Sequence, residues 1–271
     1  MLIAQISDTH LLPRGEIAFD LVDTAATLAA AVQAVNAAKP DIVFHTGDLA
    51  HHGLPAAYAL AREILSGLKA PLYAIPGNHD DRANMRAAFQ DAAWMPAKTE
   101  PGAFIHYTID AGPLTIIALD STIPGEVGGE LCDERLDWLA AALVRAGSRP
   151  TLLALHHPPL TSGLEGFSKT GLGNSDRLAL LLAEHPQIVR VLAGHIHRSF
   201  VGMCGPVPVV VGPSASYPFA FDTADGAPLS ISFEHPGLAM HLWWPDQGLV
   251  SHVISIGGFP SPRPLPRSGR H

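Results

Sequence analysis

The segment Leu2-Ile-Ala-Gln-Ile-Ser-Asp-Thr-His10 sets the pattern on which the fold prediction rests. Its apolar half, Leu2–Ile6, is short and stops at Ser7, as expected for a buried strand. Asp8 and His10 follow at once, so the strand delivers a carboxylate and an imidazole at its carboxyl end. In a parallel sheet this is the edge at which ligands bind. The segment therefore predicts a core strand that leads directly into polar, metal-ligating side chains.

The same arrangement recurs twice before residue 81. An apolar run at Asp41–His45 leads into Gly47-Asp48. A second run, at Leu72–Ile75, is cut by Pro76 and leads into Gly77-Asn78-His79. Apolar residues at helical spacing fill the two intervals, at 20–39 and 55–68. The order strand, helix, strand, helix, strand predicts parallel pairing with right-handed crossovers.

The pattern changes beyond residue 100. Two apolar runs, Ala103–Asp110 and Leu114–Asp120, are separated by Ala-Gly-Pro and predict an antiparallel hairpin. The remaining predicted elements are helices at 133–145 and 174–184 and strands at 151–155, 188–192, 207–211, 229–233, 237–244 and 249–256. A mainly β last quarter beside a βαβ start favours an α/β fold of two stacked mixed sheets flanked by helices. We expect one domain over 1–256 and an irregular Pro-, Ser- and Arg-containing tail over 257–271.

Five polar motifs occur in chain order, and most closely follow an apolar run: Asp8-Thr9-His10, Gly47-Asp48, Gly77-Asn78-His79, His156-His157 and Gly194-His195-Ile196-His197. Each by itself is commonly a turn or a polar loop pair. Together they supply about the number of oxygen and nitrogen ligands that two divalent metals with a shared carboxylate need. Imidazole and carboxylate without thiolate suit Mn, Fe, Co or Zn, whereas Mg prefers oxygen ligands. The series predicts a binuclear metal hydrolase.

Composition excludes several other classes. The chain has 271 residues, 47% hydrophobic and 15% charged, which supports a sizeable core and argues against disorder. The net charge is −8 and Lys and Arg cluster only in the last few residues, so duplex nucleic acid is not an expected partner. No apolar stretch approaches the length of a membrane helix. Met1-Leu2-Ile3 runs straight into the first strand without a signal peptide, which predicts a cytoplasmic protein. Cys132 and Cys204 are expected to be reduced thiols, and the sequence leaves a homo-oligomer open.

The motifs resemble those of the calcineurin-like metallophosphoesterases. The resemblance is carried by Ser7-Asp8-Thr9-His10, Gly47-Asp48-Leu49, Gly77-Asn78-His79-Asp80, His156-His157-Pro158-Pro159 and Gly194-His195-Ile196-His197. Within that superfamily the chain is similar to class III cyclic-nucleotide phosphodiesterases and bacterial glycerophosphodiesterases, which Leu119-Asp120-Ser121 and Gly129-Glu130-Leu131 also fit.

The resemblance implies the metallophosphatase fold, a four-layer α/β/β/α sandwich, and a ligand set. One metal would be held by Asp8, His10 and His197. The other would be held by Asn78, His156 and His195. Asp48 would bridge the two. His156 is preferred to His157 because the family ligand is the histidine two residues before proline. His51-His52 departs from the Asp or Asn often found after Gly-Asp-Leu, which leaves the substrate preference open.

The implied reaction is attack of a metal-bridging hydroxide on phosphorus, centred on the Asp48 bridge. His79 is the candidate for assisting the leaving alkoxide, because it adjoins Asn78 but is assigned to neither metal. The expected substrates are small phosphodiesters, either 3′,5′-cyclic nucleotides or glycerophosphodiesters.

Two alternatives remain. A broad phosphomonoesterase would need positive groups beyond the metals, and only Arg14 and Arg198 lie near a motif. A non-catalytic scaffold for a partner protein would tolerate missing ligands, whereas all seven positions are filled here. Substrate specificity is expected in four loops, at 11–18, 126–130, 161–173 and 214–221.

Overall fold

The computed structural model describes residues 1–97, 103–168 and 170–257. Its strands are β1 Leu2–Ile6, β2 Ile42–His45, β3 Leu72–Ala74, β4 Tyr107–Ala111, β5 Leu114–Leu119, β6 Gly129–Glu130, β7 Thr151–Leu155, β8 Leu172–Gly173, β9 Ile188–Ala193, β10 Phe200–Cys204, β11 Val207–Val211, β12 Gly237–Trp244 and β13 Gly248–Ser255. Its helices are α1 Thr24–Ala38, α2 Pro55–Leu65, α3 Arg82–Ala88, α4 Asp133–Ala146 and α5 Ser175–Ala183, with a 3₁₀ turn at Glu165–Phe167.

Two mixed sheets form the centre of the fold. The first has the order β13-β12-β1-β2-β3, in which β1, β2 and β3 are parallel. The second has the order β10-β11-β9-β7-β5-β4, in which β5, β7, β9 and β11 are parallel. Antiparallel strands complete both sheets, and β6 and β8 form a short separate pair. The predicted hairpin is present as β4 and β5, although β4 begins later than the sequence suggested.

The period-two alternation of side chains places the sheets between two helical layers. On β5, Ile116 and Ala118 pack into the core that joins the two sheets and includes residues of α1 and α2. Ile117 and Leu119 point the other way, into a second core that includes residues of α4 and α5. Every strand residue of β5 is therefore buried. The layers run helix, sheet, sheet, helix, which confirms the four-layer α/β/β/α prediction.

Local capping explains where the first helix begins. Its predicted start at Asp20 is wrong, because the side chain of Asp23 accepts a hydrogen bond from the backbone of Ala26 and caps α1 at Thr24. Asp20 lies instead in a tight turn closed by a bridge between Ala18 and Val22. This turn, 18–22, becomes part of the site described below.

Three longer elements also differ from prediction, besides the two-residue strands β6 and β8, which were not predicted. The predicted strand 229–233 is wrong, since its only ladder contact is one isolated bridge between Ile231 and Phe219. β10 was not predicted. It is an edge strand that depends on its pairing with β11, because its own sequence does not alternate clearly between apolar and polar residues. The short helix α3 was also missed, because seven residues give little helical periodicity to detect. The predicted tail lies outside the described residues except for Gly257, so the domain limits stay a prediction.

Within the described ranges, no helix combines the length and apolarity required to cross a bilayer.

Candidate metal centre

The predicted ligands lie at one edge of the sandwich, beyond the carboxyl ends of five parallel strands. From the first sheet come Asp8 and His10 after β1, Asp48 after β2 and Asn78 after β3. From the second sheet come His156 after β7, and His195 and His197 after β9. Parallel strands present their carboxyl ends to the same edge. The order of the strands in the two sheets thus brings together side chains that are far apart in the sequence.

Asp48 lies at the centre of this cluster. Its Oδ2 is 3.4 Å from Nε2 of His10 and 3.4 Å from Nε2 of His156. Nε2 of His10 in turn lies 2.9 Å from Nε2 of His197. Nε2 of His156 lies 3.1 Å from Oδ1 of Asn78. One carboxylate therefore connects a donor group around His10 to a donor group around His156.

The orientation of the imidazoles tests whether the cluster fits metal ions. Nδ1–H of His156 donates to the carbonyl of Thr46 at 2.8 Å. Nδ1–H of His197 donates to the carbonyl of Tyr217 at 2.7 Å. In a neutral ring, Nε2 then carries a lone pair rather than a proton. The lone pair of His156 faces the oxygens of Asn78 and Asp48, and that of His197 faces Nε2 of His10. Contacts this short between such atoms in a buried site require a proton or a cation between them. Deprotonated imidazole and carboxylate donors fit a divalent metal.

The protonation equilibria of His195 and His197 agree with this assignment. Burial lowers the pKa of His195 to about 3 and that of His197 to about 3, so both rings are neutral, which is the form that ligates metal. Burial raises the pKa of Asp8 to about 7. Burial also opposes ionisation of Asp48 and His156, but their mutual attraction prevails, lowering the pKa of the carboxyl and raising that of the imidazole to about 9.

The described residues contain three groups of possible metal ligands, and within each group all ligand atoms lie within 4.8 Å of one another. They are Asp8, His10, Asp48 and His197; His156, His157 and His195; and His10, His51 and His79. The first two groups meet at Asp48. The cluster can thus hold a pair of divalent metal ions.

The backbone at the cluster is unusual. Nine non-glycine residues among those described have positive φ, and five of them are predicted ligands: Asp8, His10, Asp48, His195 and His197. Such conformations concentrate at functional sites, where surrounding structure holds them in place. The sequence did not predict these positive φ values, because neither aspartate nor histidine requires this backbone conformation.

The motif glycines permit a close approach of the loops. A Cβ atom on Gly77 would lie 2.2 Å from Oδ1 of Asp48. A Cβ atom on Gly47, which has φ of +100°, would lie 2.4 Å from Nδ1 of His156. A side chain at either position would collide with a predicted ligand, so both residues must be glycine. This requirement is more specific than the turn geometry that the sequence suggested for Gly47.

His79 lies at the pocket wall beside the cluster. Its backbone N–H donates to Oδ1 of Asp48 at 2.8 Å, and its Nδ1–H donates to the carbonyl of His51 at 2.8 Å. His51 lies on the pocket side of the loop, with its Nδ1 3.1 Å from Nδ1 of His10. His52 is exposed. Of this histidine pair only His51 reaches the site.

His157 and Asp80 have structural contacts around the cluster. Nε2–H of His157 donates to the carbonyl of Val127 at 3.1 Å, and its Nδ1 accepts from Ser121 at 2.8 Å. Both of its nitrogens are thus engaged away from Asp48. Asp80 accepts backbone hydrogen bonds from Leu49 and Gly77, at 3.0 and 2.9 Å, and so ties the loop after β2 to the loop after β3. Sequence reasoning gave Asp80 no role, although it completes the Gly-Asn-His-Asp motif.

The cluster forms the floor of a cavity of about 580 Å³. Of the four predicted specificity loops, three contribute to its walls, through Val127, Phe167 and the pair Tyr217 and Phe219. The fourth loop, 11–18, stops just short of Phe19, which does line the cavity. The segment 229–233 is a wall that the sequence analysis missed.

This combination of a two-sheet sandwich and a buried His/Asp cluster at the strand ends defines the metallophosphatase fold. The same fold is found in a dimetal phosphatase from Danio rerio, with a TM-score of 0.67 at 14% identity over 95% of this chain and 99% of that one. It is also found in a purple acid phosphatase from yellow lupin, with a TM-score of 0.63 at 14% identity over 94% of this chain and 53% of that one. Identities this low establish the fold alone.

Residues 1–199 match the model of the calcineurin-like phosphoesterase family, and the chain belongs to that family. It is 34% identical over 268 residues to a protein of Arcobacter nitrofigilis named "Probable glycerophosphodiester phosphodiesterase GpdQ", covering 98% of this chain and 97% of that one. It is 35% identical over 227 residues to the 3′,5′-cyclic adenosine monophosphate phosphodiesterase CpdA of Pseudomonas aeruginosa, covering 83% of this chain and 80% of that one. The family predicted from the motifs is confirmed.

Proposed function

We propose that this chain is a metal-dependent phosphodiesterase that hydrolyses small phosphodiesters, either 3′,5′-cyclic nucleotides or glycerophosphodiesters. The observation that carries the proposal is the convergence of seven oxygen and nitrogen donors at one buried cluster, with Nε2 of His10 and Nε2 of His156 each 3.4 Å from the Asp48 carboxylate at its centre. The names of the similar proteins support the diester class. A cytoplasmic location, suggested by the sequence, stays a prediction.

The ligand assignment follows the two donor groups. Three side chains would hold one metal: Asp8, His10 and His197. Three others would hold the second: Asn78, His156 and His195. Asp48 would be shared. The donor types favour Mn, Fe, Co or Zn. When bound, such a pair supplies Lewis-acid polarisation of the phosphoryl oxygens and a water of lowered pKa as nucleophile.

The chain itself orients these donors and manages the proton on the leaving oxygen. The carbonyl partners of His156 and His197 fix each tautomer, so that Nε2 is presented as a ligand atom. His79, whose Nδ1–H is held by the carbonyl of His51, has Nε2 free of that bond. The role we propose for His79 is proton donation from Nε2–H of its imidazolium form to the leaving alkoxide, after which the neutral ring keeps the Nδ1–H on the carbonyl of His51.

The charge of the pocket favours diesters over monoesters. Among the described residues, its lining carries no Arg or Lys. Arg14 forms an exposed ion pair with Glu63 at 2.6 Å, and Arg198 pairs with Glu234 at 2.8 Å. Both arginines are thus engaged elsewhere. The pocket therefore offers too little positive charge for a monoester dianion. A diester carries a single negative charge and needs less.

The test compares matched esters on enzyme loaded with Mn. We expect kcat/KM for bis(4-nitrophenyl) phosphate to exceed that for 4-nitrophenyl phosphate by about tenfold or more, a difference of at least 1.4 kcal/mol in transition-state stabilisation. A preference for the monoester would favour the phosphomonoesterase. Protein that binds two metals and turns over neither ester nor cyclic AMP would favour the non-catalytic scaffold.

A further inference from the structure

The cavity above the metal centre is much larger than a phosphate group requires. Its volume of about 580 Å³ lies within the range of pockets that bury whole drug-sized ligands. Beyond the histidines, Asp48 and Asn78 of the floor, the lining is mostly apolar, and its hydroxyls are those of Ser230 and Tyr217. Six apolar or aromatic side chains dominate the walls: Phe19, Phe167, Tyr217, Phe219, Leu229 and Phe233.

The first wall is built by the turn 18–22. Phe19 and Asp20 both have positive φ, of 55° and 57°. For a bulky aromatic residue this conformation is unfavourable and uncommon. The ring of Phe19 is 53% exposed, so burial in the core does not compensate for the strain. The ring stands edge-on to Tyr217 and to His51, each at 5.5 Å between centroids. The turn thus holds an aromatic face at the mouth of the cavity.

A second wall, adjoining the first at Tyr217, is built by the segment 217–233. Leu229 is 48% exposed and Phe233 is 84% exposed, although both belong to the lining. The segment is fixed by its own backbone: Ala220 N–H donates to the carbonyl of Ser230 at 2.7 Å. Arg198 adds a hydrogen bond to the carbonyl of Phe219 at 2.6 Å. Exposed apolar side chains on a fixed segment beside a reaction centre indicate a surface that a ligand covers.

We propose that these walls form a subsite for a planar aromatic group carried by the substrate phosphodiester. The inference rests on the proposed phosphodiesterase function and narrows its substrate class. A glycerol group offers hydroxyls that need hydrogen-bond partners, and the apolar walls supply almost none. A second phosphate on the substituent would meet no Arg or Lys among the described lining residues. An aromatic ring packs against Phe19, Phe233 and Leu229 without either penalty.

The first experiment uses a series of ethyl phosphodiesters whose second alcohol is methyl, glyceryl, n-octyl or 2-naphthylmethyl. Hydrolysis is followed by phosphorus NMR, so that no chromophoric leaving group competes for the subsite. We expect kcat/KM for the naphthylmethyl ester to exceed that for the methyl ester by about tenfold or more, given about 25 cal/mol per Å² of buried apolar surface. Equal rates across the series, or an octyl or glyceryl ester that surpasses the naphthylmethyl ester, would overturn the aromatic subsite.

Two variants locate the effect. Phe19→Asn removes the ring and keeps the turn, because asparagine tolerates positive φ. Phe233→Ser removes an aromatic ring of the second wall at an exposed position. Each is expected to lower the naphthylmethyl-to-methyl ratio by about threefold to tenfold. Leu180→Ser is the matched control, since Leu180 is 70% exposed on α5 and should leave the ratio unchanged. A ratio unaffected by both Phe variants would refute the assignment.

A parallel arm identifies the source of the aromatic group. Cyclic AMP is compared with the 3′,5′-cyclic phosphate of ribose lacking a base, in wild type and in Phe19→Asn. A base-dependent advantage that Phe19→Asn reduces would assign the subsite to a nucleobase, and an advantage confined to the naphthylmethyl series would assign it to another aryl group. If no phosphodiester in either arm is hydrolysed, the proposed function itself fails, and the subsite with it. Hydrolysis without selectivity would remove the subsite alone.

Discussion

The substitution Gly77→Ala tests whether the position of Asp48 controls the metal centre. A Cβ atom on residue 77 would lie 2.2 Å from Oδ1 of Asp48 and 2.4 Å from its backbone nitrogen. Real Cβ contacts essentially never fall below 3.0 Å. In the variant, the distances from the new Cβ to these two atoms of Asp48 must therefore increase from 2.2 and 2.4 Å to at least 3.0 Å. Movement is resisted because the Asp48 carbonyl accepts from His10 N–H at 2.9 Å and its carboxylate accepts from His79 N–H at 2.8 Å.

The magnitude follows from this displacement. A misplacement of about 1 Å can cost about 100-fold in rate, and overpacking costs about 1–3 kcal/mol in stability. We therefore expect Gly77→Ala to lower kcat/KM by about 100-fold and to lower the metal content below two ions per chain. The decrease in kcat/KM should exceed what the change in stability alone would cause, because the carboxylate of Asp48 is itself displaced.

The assay measures kcat/KM on bis(4-nitrophenyl) phosphate at saturating Mn, metal content by mass spectrometry and unfolding by denaturant. Gly171→Ala is the matched control, because its Cβ would meet only the carbonyl of Pro158, at 3.9 Å. The reasoning would be refuted by a folded Gly77→Ala protein that keeps two ions per chain and activity within about threefold of wild type.

Three other substitutions test separate parts of the account. Asp48→Asn should reduce the metal content from two ions per chain to one or none, and two ions found in the variant would contradict the shared carboxylate. His79→Ala should lower kcat/KM by about 100-fold for alkyl leaving groups and far less for nitrophenolate; equal losses would remove its role as proton donor. Asp120→Asn should destabilise the fold by about 3–5 kcal/mol at pH 7, because it leaves the buried guanidinium of Arg82 without the carboxylate that it binds at 2.6 Å. Burial alone would raise the pKa of Asp120, but Arg82 lowers it, so this stabilisation is lost as the pH falls through the lowered pKa. Denaturant curves from pH 7 to pH 2 should therefore converge for wild type and Asp120→Asn, and parallel curves would disprove the ion pair's contribution.

The strands that carry the site were predictable because each is a short apolar run closed by a polar motif. Leu2–Ile6 and Thr151–Leu155 match the structure residue for residue. β10 escaped prediction because it lies at a sheet edge, where Val201 and Met203 face solvent and Gly202 interrupts the pattern. Its formation depends on pairing with β11, which the pattern of one segment does not encode.

The parts of the site that the sequence could not reveal are backbone groups and walls. The carbonyls of Thr46, Thr170 and Tyr217 hold His156, His195 and His197, in that order. Every residue has a carbonyl, so only tertiary structure selects these three. The apolar segment 229–233 resembled a strand for a similar reason: exposed apolar residues beside a pocket produce the same local pattern as a half-buried strand.

The left-handed residues at the cluster link strain to the arrangement of the donors. Conformations of this kind cost roughly 1–2 kcal/mol per residue, and such strain persists only where the surroundings over-determine the backbone. Here the strand ends are bonded to one another: Asp8 N–H donates to the carbonyl of Gly47 at 3.0 Å, and His195 N–H donates to the carboxylate of Asp8 at 3.0 Å. These bonds join β1 to β2 and the first sheet to the second. The placement of the donors is therefore a property of the backbone itself, so binding energy need not be spent on ordering three separate loops.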